Sequence, residues 1–170
     1  SLDMTCDLRP FDDVGRTRIA QLINKSNQFN LTTRRYTEAD VARMQVDPGL
    51  FALQIRLTDR FGDNGMISVV IFRKSPEEWA CDTWLMSCRV LGRRVEEAAL
   101  AVVARAAREE GVLRLTGEYI PSAKNQMVAD HFGKLGFTLG ETLPDGHTRW
   151  HLDLARYTAP ALPMRLQGIA

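Results

Sequence analysis

Residues 83–97 read TWLMSCRVLGRRVEE, and the order of that string decides the fold. Trp84, Met86, Cys88 and Val90 recur at period two on one face, with Leu85, Ser87, Arg89 and Leu91 on the other, which predicts a strand. Gly92 permits a tight turn, and from Val95 the apolar period becomes that of a helix. A strand–glycine–helix junction leaves the first N–H groups of the helix unpaired above the strand end. Such a junction seats a pyrophosphate or a phosphopantetheine arm. Cys88 places a sulfur nucleophile beside that seat, which points to acyl or thioester chemistry.

Working outward, residues 1–14 show no clear period and begin abruptly, and they read as a residual linker cut from a longer protein. Ile19, Leu22 and Ile23 share one side of a helix over 15–26, followed by an amide-rich stretch, 24–35, around Phe29. Thr37 opens T-E-A-D, a helix cap, and Asp47-Pro48-Gly49 is a turn. Phe51, Leu53, Ile55 and Leu57 alternate, Asp63-Asn64-Gly65 signals a hairpin, and 66–72 is an almost continuous apolar run suited to a sheet centre. Residues 75–82 read as a polar break. A helix over 94–110 buries Val95, Ala98, Ala99, Val102 and Ala106 and stops at Gly111. There follow a strand over 112–119, a helix over 125–135 closed by Gly136-Phe137, and a strand over 147–154; residues 158–170 read as a tail. Helices between strands after a hairpin predict one α/β domain with a mixed sheet, spanning 15–157.

Bulk composition narrows the function classes. At 170 residues and 45% hydrophobic the chain buries one core. A formal charge of +1 provides no field for nucleic acid or an anionic membrane, and no apolar run is long enough to span a bilayer. Cys6, Cys81 and Cys88 are odd in number and irregularly spaced, which argues against a disulfide framework and for a reducing cytoplasm. The three histidines do not join them at zinc-ligand spacing, so no metal is expected.

The order of elements resembles the GNAT-type acyltransferase fold. Arg89-Val-Leu-Gly92-Arg-Arg94 resembles that family's acyl-CoA pyrophosphate turn, and Asn125 to Phe137, NQMVADHFGKLGF, is similar to its asparagine-led helix. More particularly, RIAQLINKSNQFNLTTRRYTEADV, WLMSCRVLGRRVE and YIPSAKNQMV resemble the C-terminal domain of FkbH-like proteins of polyketide pathways. That resemblance implies transfer of a glyceryl group to an acyl carrier protein in methoxymalonyl extender-unit biosynthesis. It also implies an upstream haloacid-dehalogenase-type phosphatase domain as partner, whose Asp-x-Asp-x-Thr signature this chain does not contain. Two departures stand out. Arg94 replaces the small third residue of the turn, and Phe132 replaces the tyrosine acid of ordinary GNAT enzymes. Both disfavour amine acetylation from coenzyme A and favour a covalent route through Cys88.

The candidate residues follow. Cys88 is the nucleophile, with a small buried apolar group as the alternative reading. Tyr119 and His151 are candidate catalytic partners, and aromatic packing and a solvated strand face are their alternatives; His131 reads as a surface residue. Arg89, Val90, Gly92, Arg93, Arg94, Lys124 and Asn125 are candidates for holding the arm, with the amides of 90–94 as oxyanion donors and Asn125 as a helix cap. Asn27, Gln28, Asn30 and Thr32 are candidates for a hydroxylated acyl group, or else turn-forming amides. Arg34 and Arg35 are candidates for meeting a carrier-protein phosphate or acidic helix, with solvated charge as the alternative reading. Three functions remain open at this point: a thiol-dependent acyltransferase using a carrier's phosphopantetheine arm, a coenzyme A-dependent N-acetyltransferase, and a carrier-docking module.

Overall fold

The computed structural model describes residues 3–169. In chain order its elements are β1 (Met4–Pro10), α1 (Arg16–Lys25), α2 (Glu38–Gln45), β2 (Leu50–Asp59), β3 (Gly62–Lys74) and β4 (Glu78–Met86). These are followed by α3 (Val95–Glu109), β5 (Arg114–Tyr119), α4 (His131–Lys134), β6 (Thr138–Thr142), β7 (Thr148–Asp153) and β8 (Met164–Gly168). The strands form one mixed sheet in the order β6-β7-β5-β4-β3-β2-β1-β8, parallel only at β4/β5 and β1/β8. Both faces are covered over the centre, so β3 and β4 read as near-continuous apolar runs. On one face α1 and α2 bury Ile19, Ile23 and Val41 against Val69, Ile71 and Leu85. On the other, α3 lays Ala98, Ala99, Val102 and Val103 over Leu53, Ile55, Val70 and Trp79. Alanines on the inner side of α3 let its backbone approach the sheet closely. No helix among the described residues is long and apolar enough to cross a membrane.

Thr37 caps α2 as its spacing predicts: its Oγ1 accepts from the Asp40 N–H at 3.0 Å, and the Asp40 carboxylate accepts from the Thr37 N–H at 2.8 Å. Several boundaries differ from the sequence reading. Residues 1–14 are not a linker throughout, because β1 pairs with both β2 and β8 and buries Cys6 and Leu8 completely. The segment 158–170 likewise contains β8, so the folded unit extends beyond 15–157 at both ends. The β2–β3 turn falls at Arg60-Phe61, since Asp59 pairs with Gly62, and Asp63-Asn64-Gly65 forms a bulged stretch inside β3 instead. β4 begins at Glu78, inside the expected polar break. Residues 125–135 hold a 3-10 turn and the four-residue α4 rather than one helix, and β6 is an added edge strand without apolar alternation.

The sheet splits where function is expected. β4 and β5 pair only from Glu78↔Arg114 to Ala80↔Thr116 and then diverge. The loop after α1 fills the gap: the Leu31 N–H donates to Trp84 O at 3.1 Å and the Met86 N–H to Phe29 O at 3.1 Å. On the other side the Ile120 N–H donates to Leu31 O at 2.9 Å. Residues 29–32 therefore act as an interposed strand, which satisfies backbone groups the splay would otherwise leave bare.

Candidate active site

The strand carrying the thiol stops at Met86, and Cys88 opens a 3-10 turn, Cys88–Val90, capped by Ser87. Cys88 therefore leaves the apolar face that Trp84 and Met86 continue, which corrects the alternation read from sequence. It is exposed, whereas Cys6 and Cys81 are buried and burial pushes both their thiols up. The Cys88 Sγ lies 3.4 Å from Gln28 Oε1. The surrounding cleft, about 550 Å³, is shaped by Asn27, Gln28, Phe29 and Met86, and Arg18, Lys25 and Lys124 line it too. Among the described residues no ion pair engages these three cations.

A second cavity of about 280 Å³ lies over the start of α3, between Gly92 and α4. Exposed Leu91 and Met127 line it, along with Phe29, His131, Glu96 and Lys134. Phe29 lines both cavities and stands between them, with its ring edge-on to His131 at 5.4 Å and 84°. His131 is not on the surface. It is boxed by Phe29, Trp84 and Phe132, its Nε2 has no partner, and burial, with Lys134 adding, holds it down to about 3.

The turn after β4 is occupied by its own side chains. Gly92 takes a φ of 81°, open to any neighbour, and Arg94 adopts a left-handed φ of 65° at the N-cap of α3. Arg93 reaches back to Asp59 at 2.9 Å, Arg94 pairs with Glu97 at 2.7 Å, and Arg89 leans on Ser87 Oγ and Asn64 O. Val90 is fully buried. The Val90, Leu91 and Arg93 amides already donate to Ser87, Cys88 and Val90 carbonyls, so they are not the free oxyanion donors expected from sequence. Half-buried Glu96, unremarked in the sequence, faces the second cavity. Burial raises its carboxyl above the ordinary range, its own backbone N–H works the other way, and Glu97 adds to the rise.

The remaining candidates separate by place. Asn27 and Gln28 line the thiol cleft, whereas Asn30 and Thr32 sit inside the splay. Asn30 Oδ1 accepts from the Thr33 N–H at 2.9 Å, and Thr32 Oγ1 donates to Asp82 O at 3.0 Å. Asn125 is fully buried and makes no helix-cap bond. Its Nδ2 donates to Asn30 O at 2.9 Å and Ile120 O at 3.0 Å, and its Oδ1 accepts from Ser122 N–H and the Tyr119 hydroxyl. Tyr119 is thus spent on holding Asn125, away from the cleft lining. His151 is exposed on β7 opposite Thr116, in a different cavity from Cys88. Arg35 bonds Ile23 O, Ser26 O and Asn27, inside its own loop.

On the face of the sheet that carries α1 and α2, a polar chain crosses the splay, which sequence periodicity gave no means to see. The β3–β4 register shifts after Ile71↔Thr83, leaving Asp82 as the extra residue of a bulge. Its carboxylate accepts from Tyr36, Thr83 and Arg73. Arg34 bonds the Asp82 carbonyl at 2.7 Å and Glu118 Oε1 at 2.6 Å, and Glu118 Oε2 is 2.8 Å from His147 Nε2. Burial works to raise the Glu118 carboxyl, but Arg34 and then His147 outweigh it and hold it below the ordinary range.

No family model and no curated protein matches the chain. Its fold, however, is the GNAT type. The GNAT domain of S. lividans PAT superposes with a TM-score of 0.64 at 22% identity, covering 86% of this chain and 89% of that one. A GNAT-family putative acetyltransferase from Desulfovibrio desulfuricans gives 0.67 at 12%, covering 88% and 99%. PaiA N-acetyltransferase from Thermoplasma acidophilum, solved in complex with coenzyme A, gives 0.66 at 11%, covering 87% and 98%.

Proposed function

We propose that this domain transfers an acyl group through Cys88, with a pantetheine-bearing molecule as the partner in exchange. The observation that carries the reading is the exposed sulfur at the open end of β4, in a cleft shared with Gln28 and free cations. A thiol kept for packing belongs in the core, as Cys6 and Cys81 show. The Cys88 thiolate attacks the acyl carbonyl; a C–S bond forms and the bond to the donor's leaving group breaks. The arm's thiol then attacks the same carbonyl, returning Cys88 to the thiolate and yielding its own thioester. Asn27 and Gln28 offer amide groups for a short hydroxylated acyl chain. This fits a three-carbon glyceryl group, a carrier-protein arm, and donor chemistry supplied by an upstream phosphatase-like domain in a reducing cytoplasm.

The competing reading, coenzyme A-dependent N-acyl transfer, is favoured by the solved neighbours, among them acetyltransferases in complex with coenzyme A. A diphosphate at the turn after β4 is held by backbone N–H groups at the start of α3 and disfavoured by negative charge beside them. Glu96 faces that seat, and Arg93 and Arg94 are already ion-paired to Asp59 and Glu97, which weighs against that group there. Intact-mass analysis with a glyceryl pantetheine thioester decides between the readings. Wild type gains the acyl mass on the Cys88 peptide and Cys88→Ser gains none; turnover preserved in Cys88→Ser refutes the covalent route.

A further inference from the structure

The two cavities that meet at Phe29 differ in their charge balance. The one over α3 presents Glu96, Glu97 and Lys134, with Glu97 held by Arg94 and Arg93 turned away to Asp59, so it carries no surplus of cations. The one at Cys88 presents Arg18, Lys25 and Lys124, without a carboxylate among its lining residues and, among the described residues, without an ion pair on any of the three. Arg18 and Lys25 come from α1, and Lys124 from the loop after β5, so the cations flank the sulfur from two elements. Phe29, only 7% exposed, is a wall of both cavities.

We infer that Arg18, Lys25 and Lys124 form the phosphate site for a thiol-terminated phosphorylated arm, which reaches Cys88 from the α1 side rather than across the N-terminus of α3. The inference deepens the thiol reading, since it names where that arm docks and which end of it is recognised. A phosphodiester or phosphomonoester is attracted by the three cations at Cys88 and meets no comparable surplus of positive charge at the turn. At separations within a Debye length the difference acts on arrival rate as well as on affinity. Two consequences follow for the ligand. A single phosphate close to the pantetheine is the recognised anion, and a diphosphate laid along α3 is not.

The test needs no acyl transfer, so its failure is separable from failure of the catalytic proposal. Pantethine, the symmetrical disulfide of pantetheine, and its 4′-phosphorylated counterpart each react with a thiolate by exchange: Cys88 Sγ bonds one sulfur and the other half leaves as thiolate. The rate of mixed-disulfide formation on Cys88 is followed by intact mass for both probes, and the readout is their ratio. Wild type is expected to react about tenfold faster with the phosphorylated probe at low ionic strength, with the preference shrinking as salt rises. Lys25→Glu with Lys124→Glu brings the ratio to about one or below, and Arg18→Glu lowers it part of the way. Lys25 and Lys124 are exposed and Arg18 is half-buried at the edge of α1, so the lysine variants keep the fold. Glu96→Gln leaves the ratio at its wild-type value. A ratio near one in wild type, an unchanged ratio in the lysine variants, a rise in the ratio with Glu96→Gln, or no exchange at Cys88 with either probe overturns the inference.

Discussion

His131 gives the fold a measurable acid sensitivity. Its ring is wedged between Trp84, centroids 4.6 Å apart, Phe132 at 5.1 Å and Phe29 at 5.4 Å, and its Nε2 meets no acceptor or donor. Protonation there is opposed by burial first and by Lys134 second, so the folded ring titrates at about 3 against an ordinary 6.5. Well above 6.5 both folded and unfolded chains carry a neutral imidazole, and the residue contributes no pH dependence. Below that value the unfolded chain takes up a proton that the folded chain refuses, so stability falls as pH drops from 6.5 toward 3. With one pKa unit worth about 1.4 kcal/mol, the loss reaches about 2 kcal/mol by about pH 5. Urea denaturation of wild type and His131→Phe at about pH 8 and about pH 5 isolates it, because the carboxylates and the other two histidines are common to both chains. Wild type should lose about 2 kcal/mol more than the variant between the two conditions. Equal losses would mean that the ring is protonated in place, and the aromatic box would not be the closed site described.

Two further substitutions probe the splay and the sheet beneath it. Asn125→Ala strips one buried carbonyl, Asn30 O, and one part-buried carbonyl, Ile120 O, of their side-chain donor, and should cost about 1–3 kcal/mol in urea unfolding; a loss under about 0.5 kcal/mol would show that water replaces it freely. Gly117→Ala places a Cβ 2.3 Å from Phe132 Cζ and should cost about 1–3 kcal/mol, most of it recovered when combined with Phe132→Leu; strict additivity of the two changes would refute direct steric conflict.

What was legible in the sequence follows from which forces act locally. The Thr37–Asp40 capping box, the inward set Leu53, Ile55 and Leu57, and the alanine side of α3 are each settled by neighbours in sequence, and all are seen. β1 was missed because Met4, Cys6 and Leu8 alternate over only a few residues before Arg9 and Pro10. β6 was missed because an edge strand with every residue exposed has no apolar alternation to display. At the site, the sequence singled out Cys88, Asn27 and Gln28, which the structure brings to one cleft. It misassigned Arg93 and Arg94, because a cation's proximity in sequence to a turn says nothing of the carboxylate it finds across space. His131 looked peripheral for a similar reason: α4 is too short to show a periodicity, and the aromatic residues enclosing His131 come from three separate segments. The bulge at Asp82, which assembles Arg34, Tyr36 and Arg73 on one carboxylate, depends on a one-residue slip that no local pattern announces.

The wedge of residues 29–32 has a mechanical meaning. Beyond Ala80 and Thr116 the left and right portions of the sheet touch chiefly through this peptide, which is bonded to Trp84 and Met86 on one flank and to Ile120 and Asn125 on the other. Any scissoring of one portion against the other must drag that peptide along. Gln28 is the residue directly before it, so the amide resting against sulfur is the lever tip on which such a motion registers.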